Sequence, residues 1–145
     1  MIPTARMLFA MVIAIGLSLP GTARSEDVSG ADREAIRSMI TSQIEAFRRD
    51  DGSAAYGYAA PTIQGMYPSV EQFMGMVRDL YPPVYRPKSV TFGELMNSPG
   101  GILQKVFLTG PDGDNWVAVY SLERQPDGSW RISGCYLIKD TAPII

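Results

Sequence analysis

The stretch Ser89–Lys139 constrains this chain more than any other, because two of its turns carry the same signal. Pro111-Asp112-Gly113 precedes Trp116, and Pro126-Asp127-Gly128 precedes Trp130. Proline pre-sets φ for the first central position of a type I turn, aspartate tolerates the second, and glycine supplies the left-handed residue that follows. Such turns close antiparallel hairpins. Asn97-Ser98-Pro99-Gly100-Gly101 is a third turn cluster. Between the clusters, runs rich in Val, Ile, Phe, Tyr and Trp predict strands over Val90–Met96, Ile102–Thr109, Trp116–Arg124 and Trp130–Ile138. Short connections make sequence neighbours spatial neighbours, so the simplest arrangement is a four-stranded antiparallel meander.

Neither face of that sheet is fully polar. In the third strand Trp116, Ala118, Tyr120 and Leu122 share one face, and Val117, Val119, Ser121 and Glu123 the other. A sheet with one wet face alternates more cleanly. Helices are expected over one face, and a partner subunit is one way to cover the other.

The helices precede the strands. After a polar lead-in over Glu26–Ala31, Asp32 or Ser29 can cap a helix that runs to about Asp50, with Ile36, Met39, Ile40, Ile44 and Phe47 forming one apolar stripe. Ser53 can cap a short helix over Ala54–Ala60, and Pro61 stops it or starts a further turn through Met66. Ser69-Val70-Glu71-Gln72 is a capping-box pattern, opening a helix to about Tyr81 with Val70, Phe73, Met74, Val77 and Leu80 apolar at helical spacing. Pro82-Pro83 ends it, and Pro82–Lys88 is expected to be extended and stiff. Helices segregated from an antiparallel sheet predict an α+β domain.

The N-terminus reads as a signal peptide over 1–25. Arg6 gives a basic start, Met7–Leu19 is apolar, Pro20-Gly21 breaks the run, and Ala23 and Ser25 supply small residues for cleavage. The apolar run is short of the roughly twenty residues that cross a bilayer; the alternative is an uncleaved anchor. Cleavage after Ser25 leaves 26–145 as one domain in the periplasm or outside the cell, with 11 basic against 15 acidic side chains. No basic stripe remains to neutralise phosphates, which argues against nucleic acid as a partner. Cys135 is the single cysteine, so an internal disulfide is excluded. Inside a strand it is expected to serve as a small buried apolar group, with a reactive thiol or an intermolecular bridge as alternatives.

The absence of histidine removes histidine triads, the usual base near neutral pH and most zinc or copper sites. Phosphate-cradling glycine motifs are absent as well, and no cofactor or resident metal is expected. Asp112-Gly113-Asp114 invites a calcium reading, but Trp116 and Val117 stand where such a loop needs an oxygen ligand and a glycine, and a hairpin turn explains these acids better. Glu94 and Glu123 are the carboxylates within strands; either would be a proton-transfer base only if buried in an apolar pocket. Tyrosine suits a ligand cavity because its ring is apolar and its tip polar. Tyr56, Tyr58, Tyr81, Tyr85 and Arg86 are the cavity candidates, the last three at its mouth, whereas Tyr120 and Tyr136 are assigned to the core.

Ala55–Pro61, YPPVYRP over Tyr81–Pro87 and LERQPDGSWRI over Leu122–Ile132 resemble a small bacterial family of exported proteins catalogued as a domain of unknown function. That family is similar in outline to the nuclear-transport-factor-two-like superfamily, which includes ketosteroid isomerases and polyketide cyclases. The resemblance implies an antiparallel sheet wrapped on a long helix into a cone with an internal pocket. It implies no activity, because the fold hosts enzymes, binding modules and dimerisation domains. Three readings follow: a non-catalytic exported domain binding a small apolar ligand or a protein through its pocket or sheet face; an isomerase- or cyclase-like enzyme with a buried Glu94 or Glu123 as base; and a homodimer formed through the outer sheet face.

Overall fold

A computed structural model describes residues 28–141. The expected signal peptide lies outside these residues. Five helices precede four strands: α1 (Gly30–Arg48), α2 (Gly52–Gly57), α3 (Pro61–Met66), α4 (Val70–Leu80), α5 (Pro82–Tyr85), β1 (Ser89–Ser98), β2 (Gly101–Thr109), β3 (Asn115–Arg124) and β4 (Trp130–Lys139). The strands form one antiparallel sheet in the order β1-β2-β3-β4, so the chain is an α+β domain built on a meander. Among the described residues no helix is long and apolar enough to cross a membrane.

Both Pro-Asp-Gly turns close hairpins as their chemistry dictates. Gly113 and Gly128 take positive φ, 89° and 86°. Asp112 Oδ1 accepts from the Asp114 N–H at 3.0 Å, and Asp127 Oδ1 from the Ser129 N–H at 2.9 Å. Asp112 therefore holds its own turn, and Glu123 stands near the far end of β3.

Ser29, one of the two expected caps, accepts the Asp32 N–H on its Oγ at 3.1 Å and starts α1 two residues inside the expected lead-in. The stripe Ile36, Met39, Ile40, Ile44 and Phe47 is buried. It meets Val106, Leu108, Ala118, Tyr120, Leu122 and Ile132 on one sheet face to make the core. Each fully buried aliphatic side chain there contributes about 1.5–3 kcal/mol.

Several local expectations need correction. Asp51, not Ser53, caps α2, accepting the Ala54 N–H on Oδ1 at 3.1 Å, so α2 starts at Gly52 and ends at Gly57. Leu80 is 66% exposed, because α4 turns its last residue away from the core. Pro82–Tyr85 is a short helix, not an extended segment: both prolines sit at its first positions, where a missing N–H costs nothing. They end α4 and begin α5 at one point, which brings Val84 into the core.

Two irregularities set the sheet's parity. β1 is bulged between Phe92 and Leu95, and Gln104 crosses to the bulge, donating from Nε2 to the Gly93 carbonyl at 3.0 Å. That bond, with another from Nε2 to the Lys105 carbonyl at 2.8 Å, engages the amide nitrogen of a glutamine that has no exposure. In β4, Leu122 pairs with Ile132 while Ser121 pairs with Gly134, so Ser133 is an extra residue. An extra residue reverses which side chains face inward. Ile132 packs inward before it, and Cys135 and Leu137 after it. Tyr136, assigned to the core from the sequence, is consequently 54% exposed on the opposite face.

Candidate functional site

A cavity of about 190 Å³ lies between the helical layer and the β3–β4 edge of the sheet. Gln43 and Phe47 of α1 form one side, Phe73, Met76 and Val77 of α4 another, and Tyr120 with Ile132–Cys135 the sheet side. Ile63, Met66 and Tyr67 border it from α3 and the turn that follows. Met66 is 63% exposed and Tyr67 half-buried, which marks this end as the mouth.

Local structure fixes each wall. Gln43 is buried in the α1 stripe, and its Nε2 donates to the Ala55 carbonyl at 3.1 Å, locking α1 to α2. The Tyr56 hydroxyl donates to the Tyr67 carbonyl at 2.6 Å, and Gln64 Nε2 returns a bond to the Tyr56 carbonyl at 3.0 Å. These bonds hold α3 and the mouth against α2. The Tyr58 carbonyl accepts from the Ile132 N–H, and the Ala60 N–H donates to the Ile132 carbonyl, each at 2.8 Å. A short parallel bridge thus fastens the α2–α3 connection to the outer edge of β4.

Of the five cavity candidates, Tyr81 is in the wall. Its hydroxyl donates to the Cys135 carbonyl at 2.9 Å. Tyr56 stands behind the wall with its ring 5.4 Å from that of Phe73, and Tyr58 works through its backbone. Tyr85 and Arg86 lie at the C-terminal end of α1. Arg86 bonds Asp50 Oδ2 at 3.0 Å, donates to the Phe47 carbonyl, and stacks 3.9 Å from the Tyr85 ring centre. The Tyr85 hydroxyl donates to the Asp50 carboxylate, and this bond, then the Arg86 guanidinium, holds Asp50 below the ordinary aspartate range. Arg86 and Tyr85 thus cap a helix end, where a cation opposes the helix dipole.

Glu94, at the β1 bulge, and Glu123, near the end of β3, are both exposed, and neither borders the cavity. No charged side chain lines it. Its ionisable groups are Tyr67, Tyr81, Tyr120 and Cys135. Burial raises Tyr81, raises Tyr120 well above the ordinary phenol value, and pushes the Cys135 thiol up to about 12. These three are neutral near pH 7: donors and apolar surface rather than bases or nucleophiles.

Tyr120 and Cys135 enter the site although the sequence assigned both to the core. They are Cα partners across β3 and β4, and the extra residue at Ser133 is what turns Cys135 toward Tyr120. The inward parity of Tyr120 with Ala118 and Leu122 was the available signal. A second hollow, among Asp50, Asp51, Glu71 and Arg78, is a charged surface depression where α2 meets α4. Among the described residues no group of acids or cysteine is placed to hold a metal ion.

No curated protein and no solved structure matches the chain. The family described as "Domain of unknown function (DUF4864)" matches it over residues 29–145, which takes in every element from α1 to β4. The chain belongs to that family.

Proposed function

We propose that this chain is an exported binding domain, cleaved after Ser25, whose cavity takes a small apolar ligand. The observation that carries the reading is the composition of the wall: mostly aromatic and aliphatic side chains from four helices and two strands, with Gln43 and Ser133 the polar exceptions beside the tyrosines and no charged group among them. A concave, mostly apolar space with few polar groups is what small-molecule sites share. Its volume, about 190 Å³, suits a single ring, since an engineered apolar cavity of about 150 Å³ holds benzene. The likeness to a nuclear-transport-factor-two-like cone belongs to this proposal, supported by a pocket between a long first helix and the sheet. An isomerase-like reaction finds less support, because the two strand glutamates stand outside the cavity. The test is an NMR titration of the purified protein with small aromatic and aliphatic compounds. Shifts confined to Phe73, Val77, Tyr120 and Ile132 are expected; none across the set would remove the reading. N-terminal sequencing of protein recovered from the exported fraction checks the cleavage.

A second reading, homodimerisation, rests on the helix-free sheet face. Phe107, Val117 and Ile138 form one cross-strand row there, with Val119 and Tyr136 in the next. Phe107, Tyr136 and Ile138 are 42%, 54% and 50% exposed. Contiguous exposed apolar surface marks interaction sites. Sedimentation should give a dimer that Phe107→Glu dissociates; a wild-type monomer at high concentration rules this reading out.

A further inference from the structure

Four buried side-chain polar atoms among the described residues have no hydrogen-bond partner: Gln104 Oε1, Trp116 Nε1, Tyr120 OH and Gln125 Nε2. Of these four residues, Tyr120 alone belongs to the cavity wall. It is 1% exposed. A buried hydroxyl without a partner is uncommon in folded proteins, because leaving it unpaired forfeits the hydrogen bonds it made to water. Three other polar groups of the wall donate to partners within the protein. Gln43 donates to the Ala55 carbonyl, Tyr81 to the Cys135 carbonyl, and the Ser133 hydroxyl to Ser121 Oγ at 3.1 Å.

We infer that the ligand of this cavity is a small neutral molecule carrying one hydrogen-bond-accepting oxygen, such as a ketone, and that the Tyr120 hydroxyl donates to it. This deepens the cavity reading above and rests on it. Neutrality follows from the wall, which offers no cation to a carboxylate and no carboxylate to a cation; an unpaired charge taken into such a space loses its hydration without compensation. Size follows from the volume, which admits a six-membered ring with one substituent. The direction of the bond follows from the phenol: burial holds Tyr120 protonated far above neutral pH, so it is a donor.

The experiment compares cyclohexanone with methylenecyclohexane, which has nearly the same shape and no accepting oxygen, by NMR titration of the wild-type protein and of Tyr120→Phe. Because the Tyr120 hydroxyl has no protein partner, the variant keeps the ring and loses no internal hydrogen bond. The ratio of ketone to hydrocarbon affinity should be roughly three- to tenfold higher in wild type than in Tyr120→Phe, the range one net hydrogen bond supplies, the comparison cancelling the ketone's greater cost of leaving water. A ratio that is the same in wild type and Tyr120→Phe overturns the Tyr120 assignment while leaving the cavity reading intact. If neither probe binds wild type, the cavity reading falls and this inference falls with it.

Discussion

The Tyr81 hydroxyl donates to the Cys135 backbone carbonyl at 2.9 Å, joining the end of α4 to the middle of the last strand across 54 residues of sequence. Both residues border the cavity, so this bond ties its helical and sheet walls together. Tyr81→Phe keeps the ring and removes the donor. Urea denaturation should show a loss of about 0.5–1.5 kcal/mol, the net worth of one partly buried hydrogen bond. An unchanged midpoint would mean that the wall is held by packing alone.

Gln104 serves the bulge in β1. Its Nε2 reaches the Gly93 carbonyl at 3.0 Å from a fully buried position. Gln104→Leu preserves volume but strands that acceptor, so a loss of about 1–3 kcal/mol is expected. Amide exchange should speed up around Gly93 and Glu94 first. Uniform acceleration across the sheet would contradict this local role.

Gly52 opens α2 against α4. A Cβ there would stand 2.7 Å from Val70 Cγ1 and 2.9 Å from Met74 Cγ. Val70 is β-branched and stiff at χ1 and Met74 Cγ lies mid-chain, so Gly52→Ala should destabilise by about 1–3 kcal/mol through overpacking. Gly57→Ala is the contrasting case, since nothing lies within 4 Å of a Cβ at that position. Thermal melts should show the first variant falling and the second level or rising by about 0.4–1 kcal/mol in stability.

Asp32 links the start of α1 to the end of the β3–β4 hairpin. The Trp130 indole N–H, then the Ser29 hydroxyl, then the Arg124 guanidinium hold its carboxyl below the ordinary 3.8. Its folded-state pKa being the lower one, the stabilisation is complete above about pH 3.8 and is lost as pH falls through the folded value. Asp32→Asn should therefore be less stable than wild type at pH 6, with the gap closing below pH 3.8. Denaturation followed by tryptophan fluorescence at several pH values reads this directly, and a constant gap would exclude a charge-dependent contribution.

Cys135 is a free thiol inside the cavity wall. Burial raises its pKa from 9.0 to about 12, which lowers the thiolate fraction about a thousandfold. Labelling by a disulfide reagent at pH 8 should be slow in the native protein and fast in denaturant. Rapid native labelling would place the thiol in solvent.

Local chemistry made much of the fold legible. The Pro-Asp-Gly turns, the Ile36–Phe47 stripe and the Ser69 cap each combine a backbone demand with the residue that meets it, and all are found as read. The site was less legible because it depends on register. A single extra residue at Ser133 turns Cys135 inward and Tyr136 outward, and the one cue is the strand glycine beside it, Gly134, which marks a bulge without giving its register. Tyr85 and Arg86 show the reverse difficulty. Their side chains suit a cavity mouth, yet α5, which follows from two prolines at helix-starting positions, carries them to the end of α1. Tyr120 was assigned inside correctly, but that its hydroxyl would lack a partner is a property of three-dimensional packing.

The bridge between Tyr58–Ala60 and Ile132 also bears on aggregation. A meander leaves two exposed edges, each a template on which a foreign strand can add. On β4, both backbone groups of Ile132 are taken by Tyr58 and Ala60, and the Cys135 carbonyl is taken by Tyr81. On β1, the Gly93–Glu94 bulge interrupts the regular ladder. The same contacts that close the cavity thus blunt the β4 edge against another chain. Loosening the helical layer would open the pocket and expose a polymerisation-competent strand in one step.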